Sequence, residues 1–198
     1  MNKQLFAGII AVAAIAAAPT FAQAPQPVRG TIEKVDGSVL SIKEKDGSVV
    51  TVRLTDNAQV FGVVPAKVAD IKTGDFIGVG AMPQPDGSQK AIQVTIFAPS
   101  QRGLGEGFRP WDRPGSTMTN GSVDAVVEGV NGRVLTVKYK GGEQKIVIAE
   151  DATIRAYLPG EKSELKPGAR VAVTRPEKAP DGSLQTNRIN VGRNGAVP

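Results

Sequence analysis

The 198-residue chain contains no cysteine and no histidine, and a single tryptophan. Without cysteine it has no disulfides, no thiol nucleophile and no thiolate metal site. Without histidine it lacks the commonest general base and the commonest transition-metal ligand. Serine–histidine, cysteine–histidine and zinc-hydrolase mechanisms are thereby excluded in their usual forms. Long hydrophobic runs are equally scarce. The run Leu5 to Ala18 has 14 residues, fewer than the roughly 20 that span a bilayer comfortably. It follows Lys3 and precedes small residues, the layout of a secretory signal. Residues 1–22 are expected to be that signal, cut after Thr20-Phe21-Ala22. A cut after Ala22-Gln23-Ala24 would place Pro25 next to the scissile bond. The mature chain is therefore expected in the periplasm, with no transmembrane segment.

The charge that is present is uneven. The whole chain carries +5. Residues 28–98 are neutral, residues 99–119 hold +1 and residues 120–198 hold +3. A field this weak permits anionic partners without requiring them.

Self-comparison explains the asymmetry. Gly37-Ser38-Val39-Leu40-Ser41-Ile42-Lys43 matches Gly132-Arg133-Val134-Leu135-Thr136-Val137-Lys138 at an offset of 95. Pro65 to Gly74 matches Pro159 to Gly168 at 94, and Pro85-Asp86-Gly87-Ser88 matches Pro180-Asp181-Gly182-Ser183 at 95. Gly30-Thr31-Ile32-Glu33 aligns with Gly121-Ser122-Val123-Asp124. Several matches in one order indicate a duplication: copy 1 over 26–98, a Gly/Pro-rich linker over 99–119, and copy 2 over 120–194. The added charge of copy 2 falls where Arg133 replaces Ser38, Lys145 Thr51, Arg155 Phe61, Arg170 Phe76, Arg175 Ala81 and Arg188 Gln93.

Each copy reads as β-structure. Leu40 and Ile42 alternate with Ser41 and Lys43, and Val50, Val52 and Leu54 alternate with Thr51 and Arg53, which is the period of half-buried strands. Asp36-Gly37 and Asp46-Gly47 are hairpin dipeptides. The extended pattern continues through Gln59 to Val63, and Pro65 to Ile71 has room for one or two helical turns before Gly74. Two more strands follow near 76–81 and 90–97, the latter expected to bury Ile92, Val94 and Ile96. Copy 2 repeats the inward set with Leu135, Val137, Ile146, Ile148, Val171, Val173, Ile189 and Val191. Three strands, a short helical connector and two strands is the order of an OB-type barrel. The expected fold is all-β: two tandem small OB-like barrels after the signal peptide. Two open antiparallel sheets packed together are the alternative.

The linker segment Gly105-Glu106-Gly107-Phe108-Arg109-Pro110-Trp111-Asp112-Arg113-Pro114-Gly115-Ser116-Thr117-Met118-Thr119-Asn120, followed by a Gly-x-Val-Leu-Thr-Val-Lys strand, resembles uncharacterised exported proteins of Gram-negative bacteria in the domain-of-unknown-function family 5666. The resemblance covers the linker and both copies. It implies a small periplasmic β-domain and no particular reaction. A histidine often precedes the Arg-Pro-Trp-Asp segment in that family; Phe108 stands there in this chain.

Two groups of residues are candidate sites. Trp111, with Arg109, Asp112 and Arg113, is unusual in a flexible tether. Burial of the indole against one barrel would contribute roughly 2–3 kcal/mol and order the linker. The same residues could instead form a recognition surface for a protein. The second group is a basic stripe on the outward face of the second and third strands, Lys138, Lys140 and Lys145 in copy 2, which would suit an anionic glycan or lipid headgroup. A solvated strand face that discourages edge pairing is the plainer account of it. No aromatic residue is interleaved with these lysines, which disfavours nucleic acid. No carboxylate pair stands out for a glycosidase-type hydrolase. Asp86-Gly87-Ser88 and Asp181-Gly182-Ser183 read as tight turns, since the acidic spacing of a calcium loop is missing. Met82, Met118 and Trp111 without histidine make a poor soft-metal set. The expectation is a periplasmic, non-enzymatic binding or interaction module without metal or cofactor. Its partner would be a periplasmic protein or an anionic surface ligand, and a carboxylate-based hydrolase is the remote alternative.

Overall fold

The computed structural model describes residues 25–129 and 132–198, and over them the chain is all-β. The signal expected at residues 1–22 lies outside the described residues. Copy 1 forms β1 (Val28–Asp36), β2 (Val39–Glu44), β3 (Val49–Pro65), β4 (Phe76–Pro83) and β5 (Gln89–Ile96). The linker carries β6 (Gly107–Pro110). Copy 2 forms β7 (Thr117–Gly129), β8 (Gly132–Tyr139), β9 (Gly142–Ile148), β10 (Thr153–Pro159), β11 (Arg170–Val173), β12 (Glu177–Lys178) and β13 (Leu184–Gly192). The expected helical connectors are single 3-10 turns at Val68–Asp70 and Lys162–Glu164. No helix of the described residues is long and apolar enough to cross a membrane.

The turns follow from local chemistry. Gly37 closes the β1–β2 hairpin at φ 57°, a conformation open to glycine at little steric cost. In three Asp-Gly-Ser turns one aspartate oxygen accepts both the backbone N–H and the hydroxyl of the serine two residues on. The paired distances are 2.9 and 2.7 Å at Asp46, 3.0 and 2.6 Å at Asp86, and 2.9 and 2.6 Å at Asp181. These bonds hold all three carboxyls below their ordinary range, the serine hydroxyl bond contributing most.

Strand pairing departs from the tandem arrangement. β1 pairs with β2, β2 with β3, β3 with β13 in parallel, β13 with β11, and β11 with β1 again. The second circuit runs β7 to β8, β8 to β9, β9 to β5 in parallel, β5 to β4, and β4 to β7. Each ring of pairings therefore takes its first three strands from one copy and its last two from the other. The expectation that 26–98 and 120–194 each close on themselves is corrected accordingly.

The physical reason lies in β3. Its 17 residues form one strand with an irregularity between Leu54 and Gln59, where the register against β13 shifts. Its first half lies along β2, and its second half pairs antiparallel with β10, from Phe61↔Pro159 to Pro65↔Arg155. β3 therefore lies along β2 at its start and along β10 at its end, and β4 and β5 are laid down in the other ring. Copy 2 makes the same passage with a break at residues 149–152, where the Ala152 N–H donates to the Ala149 carbonyl at 3.1 Å.

The cores are shared in the same way. Val28, Ile32, Leu40, Ile42, Val52 and Leu54 of copy 1 pack with Val171, Val173, Ile189 and Val191 of copy 2, with Leu165 entering from the copy 2 connector. Leu135, Val137, Ile146 and Ile148 pack with Ile77, Val79, Ala91 and Val94, with Ile71 entering from the copy 1 connector. The whole expected inward set of copy 2 is buried. In β5, however, only Val94 of the three expected residues is buried; Ile92 and Ile96 are half-buried and Ala91 takes an inward place. For Ile92 a bulge is the cause: Gly80 pairs with Gln93 but Ala81 with Ala91, so Ile92 is the extra residue and the inward phase shifts; Ile96 keeps the phase of Val94 and packs at the edge of the core.

Candidate functional site

Both rings and the linker contribute walls to one cleft of about 710 Å³, within the roughly 300–1,000 Å³ range of small-molecule sites. Arg29 on β1 and Arg188 and Asn190 on β13 come from one ring; Gln93 and Thr95 on β5 and Asn120 on β7 come from the other. β10 adds Arg155 and Tyr157, and the linker adds Gln101, Arg109, Trp111, Asp112 and Arg113. Arg175 lies in the turn after β11.

The lining is strongly cationic. Six arginines (29, 109, 113, 155, 175 and 188) face one acidic side chain, Asp112, and the last residue, Pro198, also lines the cleft. Asp112 reaches only Arg29, at 3.6 Å between half-exposed side chains, a contact worth little. Arg155 is held by Nε donating to Thr95 Oγ1 at 3.0 Å and Nη1 donating to the Val197 carbonyl at 3.2 Å, and its guanidinium lies 5.7 Å from the Tyr157 ring centroid. Tyr157 stands edge-on to Phe97 at 5.7 Å, and Phe97 meets Phe76 at 5.5 Å. This aromatic column anchors the cleft on the β3–β10 crossing. Arg109 donates from Nη1 to the Gly105 carbonyl at 2.8 Å. Burial lowers the proton affinity of both Arg109 and Arg188, and the like charge of Arg175 lowers it further in each case. Positive groups are thus gathered and partly desolvated with almost nothing opposite them.

Hydrogen bonding is incomplete at the same place. Gln101 Nε2, Asn120 Oδ1, Asn190 Oδ1 and Arg188 Nε are buried without a partner among the described residues, and all four residues line the cleft. Gln101, Asn120 and Asn190 are 2%, 5% and 2% exposed. A buried unpaired polar group costs about 1–3 kcal/mol; these four atoms lie beneath the cleft surface with almost no accessible area, and Thr119 Oγ1, outside the cleft lining, is a fifth. The amide orientation of Asn120 is set by Nδ2 donating to the Leu104 carbonyl at 2.9 Å, which leaves its oxygen as a free acceptor. Gln101 is set likewise, its oxygen accepting from the Ala98 N–H at 3.2 Å, which leaves its amino group as a free donor.

The two groups of residues expected from sequence separate. Arg109, Trp111, Asp112 and Arg113 all line the cleft. The half-buried Trp111 rests on Gly80 of β4, where a Cβ would collide with the indole Cζ3. The linker is also more regular than its composition promised, since β6 pairs with β7 from Gly107↔Asn120 to Pro110↔Thr117. Lys138, Lys140 and Lys145 are not among the cleft residues. Lys138 pairs with Asp124 at 2.9 Å and lies across from Glu143, and both acids raise its proton affinity, Asp124 most. Lys145 lies across from Thr136, and the Lys140 backbone N–H donates to Glu106 at 3.0 Å. The stripe is a mosaic of both signs rather than a cationic track. Asp112 is the one acidic side chain among the cleft residues.

Arg29, Arg155, Arg175, Arg188, Asn120 and Asn190 were not singled out from sequence as site residues. One signal was legible: Arg155, Arg175 and Arg188 are three of the six positions where copy 2 gained a cation. Those three meet in one cleft.

The fold and site define a class: an all-β chain whose two duplicated units exchange strands around an arginine-lined cleft. Comparison with protein-family models, curated proteins and solved structures finds no match to the chain.

Proposed function

We propose that this is an exported, non-enzymatic binding module whose ligand is a small multivalent anion seated in the arginine cleft. The observation that carries the reading is the charge imbalance of the lining side chains, six arginines to one acidic residue, with Arg188 Nε buried and unpaired. A protein without a ligand gains nothing from such a cluster, because desolvated like charges oppose folding. An anion repays it through charge-assisted hydrogen bonds to planar guanidinium forks. The N-terminal apolar run supports export to the periplasm, and the linker motif supports kinship with the exported family 5666 proteins. Five-stranded rings with a short connector before the fourth strand support reading the units as OB-like barrels that have exchanged their last two strands.

Thermal unfolding of the mature chain at low salt, with inositol hexakisphosphate or with uncharged inositol, tests the anion reading. The charged compound should raise Tm in a salt-sensitive manner, and Arg188→Gln should remove most of that rise. Equal responses to both compounds, or an undiminished response in the variant, would refute it.

A further inference from the structure

Residues 193–198 double back over the anion cleft. Arg193 fixes the point of return. Its backbone N–H donates to the Val63 carbonyl at 2.8 Å, its Nε and Nη2 donate to Glu164, both at 2.6 Å, and Nη2 also reaches the Pro159 carbonyl at 3.0 Å. Asn194 and Gly195 follow with φ of 52° and 79°, and the Ala196 N–H donates to the Arg193 carbonyl at 3.0 Å. Positive φ at both central positions is the pattern of a type I′ turn, which reverses the chain tightly. Ala196 then packs on the cluster of Phe61, Val63, Ala98 and Tyr157. Gly192 makes room for this return, since a Cβ there would collide with the Ala196 carbonyl. Val197 and Pro198 run on into the cleft, where Pro198 is buried and Val197 is 62% exposed.

The segment is firm at one end and weakly held at the other. Among the described residues, the only hydrogen bond to Val197 or Pro198 comes from Arg155, whose Nη1 donates to the Val197 carbonyl at 3.2 Å. Arg155 is one of the six cleft arginines, so the segment takes up a donor that an anion would use. A backbone carbonyl is a neutral acceptor. A phosphate or carboxylate oxygen makes a charge-assisted bond to the same donor, roughly twice as strong. The exchange of one for the other favours the anion, and the anchored Arg193 confines the movement to the residues beyond it.

We propose that residues 194–198 are a strap that competes with the anion for Arg155, and that anion binding releases it. This rests on the cleft being an anion site, as argued above. The strap lowers affinity by the work of its own displacement, so a chain with a loosened strap is already in the binding-competent arrangement.

Calorimetric titration with inositol hexakisphosphate compares the full mature chain with two variants. One lacks residues 194–198. The other is Gly195→Val. A Cβ at Gly195 has nothing within 4 Å beyond its chain neighbours, so that substitution strains the turn at φ 79° and leaves the cleft side chains in place. Both variants should bind about three- to tenfold more tightly than the parent chain. Backbone hydrogen exchange at Ala196 and Val197 should quicken when the parent chain is saturated with the anion. Unchanged or weaker binding by either variant would overturn the proposal. Slower exchange at Ala196 and Val197 on binding would overturn it too, since it describes a lid that closes on the ligand. If the parent chain and both variants fail to bind the anion, the anion reading of the cleft falls and the strap with it.

Discussion

Replacing Arg188 by glutamine should make the ligand-free protein more stable and its anion complex less so. Glutamine is the residue of copy 1 at the equivalent position, Gln93, where it is half-buried on β5. The substitution removes a cation whose Nε is buried without a partner and which lies close enough to Arg175 for that charge to oppose its own. An unsatisfied buried donor costs about 1–3 kcal/mol, so relief of about 1–2 kcal/mol is expected once lost packing of the arginine stem is discounted. For a chain of this length that corresponds to a rise in Tm of about 3–6 °C. In the complex the same arginine supplies charge-assisted bonds, and their loss should weaken anion binding by roughly ten- to a hundredfold. Differential scanning calorimetry and urea unfolding at low ionic strength, with and without a multivalent anion, measure both halves. A variant that loses stability by more than about 1 kcal/mol while binding anions as before would show that Arg188 is a structural residue, and the site reading would fail.

Other perturbations address separate parts of the structure. Asp112→Asn removes the one acidic side chain of the cleft and frees Arg29; anion binding should tighten about two- to fivefold at low salt, and unchanged affinity would place Arg29 outside the site. Gly80→Ala puts a methyl group where Trp111 rests. The chain has one tryptophan, so a red shift of its emission should report the displaced indole, and an unchanged spectrum would contradict the docking. A single cut in the linker between Arg102 and Gly103 should leave the two pieces associated on size exclusion without denaturant, since each ring draws strands from both sides of the cut. Separation into two folded monomers would disprove the exchange. Acid should destabilise the fold through Glu164, whose carboxyl accepts from Arg193 Nε and Nη2, both at 2.6 Å, and is held below its ordinary range chiefly by those bonds. A lowered folded-state value means that the stabilisation is present above the unfolded value and is lost as pH falls through the folded one. The unfolding free energy of Glu164→Gln should therefore fall less steeply than that of the wild type below about pH 5.

Much of the local structure was readable from residue order. Alternation at Leu40 and Ile42 marked β2, Asp-Gly pairs marked turns, and the offset of 94 or 95 residues marked the duplication. The inward residues of copy 2 were all placed correctly, because alternation at a buried sheet face depends only on near neighbours. The phase error at Ile92 shows the limit of that rule: one bulged residue, set by pairing with β4, reverses the alternation and leaves no mark in composition. The four linker residues that line the cleft stood out in the sequence because an aromatic ring and paired charges are out of place in a tether. Arg155, Arg175 and Arg188 showed only as divergence between copies, which does not reveal where the three side chains converge.

What sequence alone determined, then, is the set of strands, their turns and their buried faces, all products of local chemistry. Which strands join was decided by the tertiary structure. Two copies with the same strand order offer β4 two comparable partners, β1 of its own copy or β7 of the other. In the structure β4 takes β7, and the far end of β3 lies against β10. The cleft is a product of that crossing, since Arg29, Asn120, Arg155 and Arg188 are far apart along the chain and share a wall only where the exchanged halves meet.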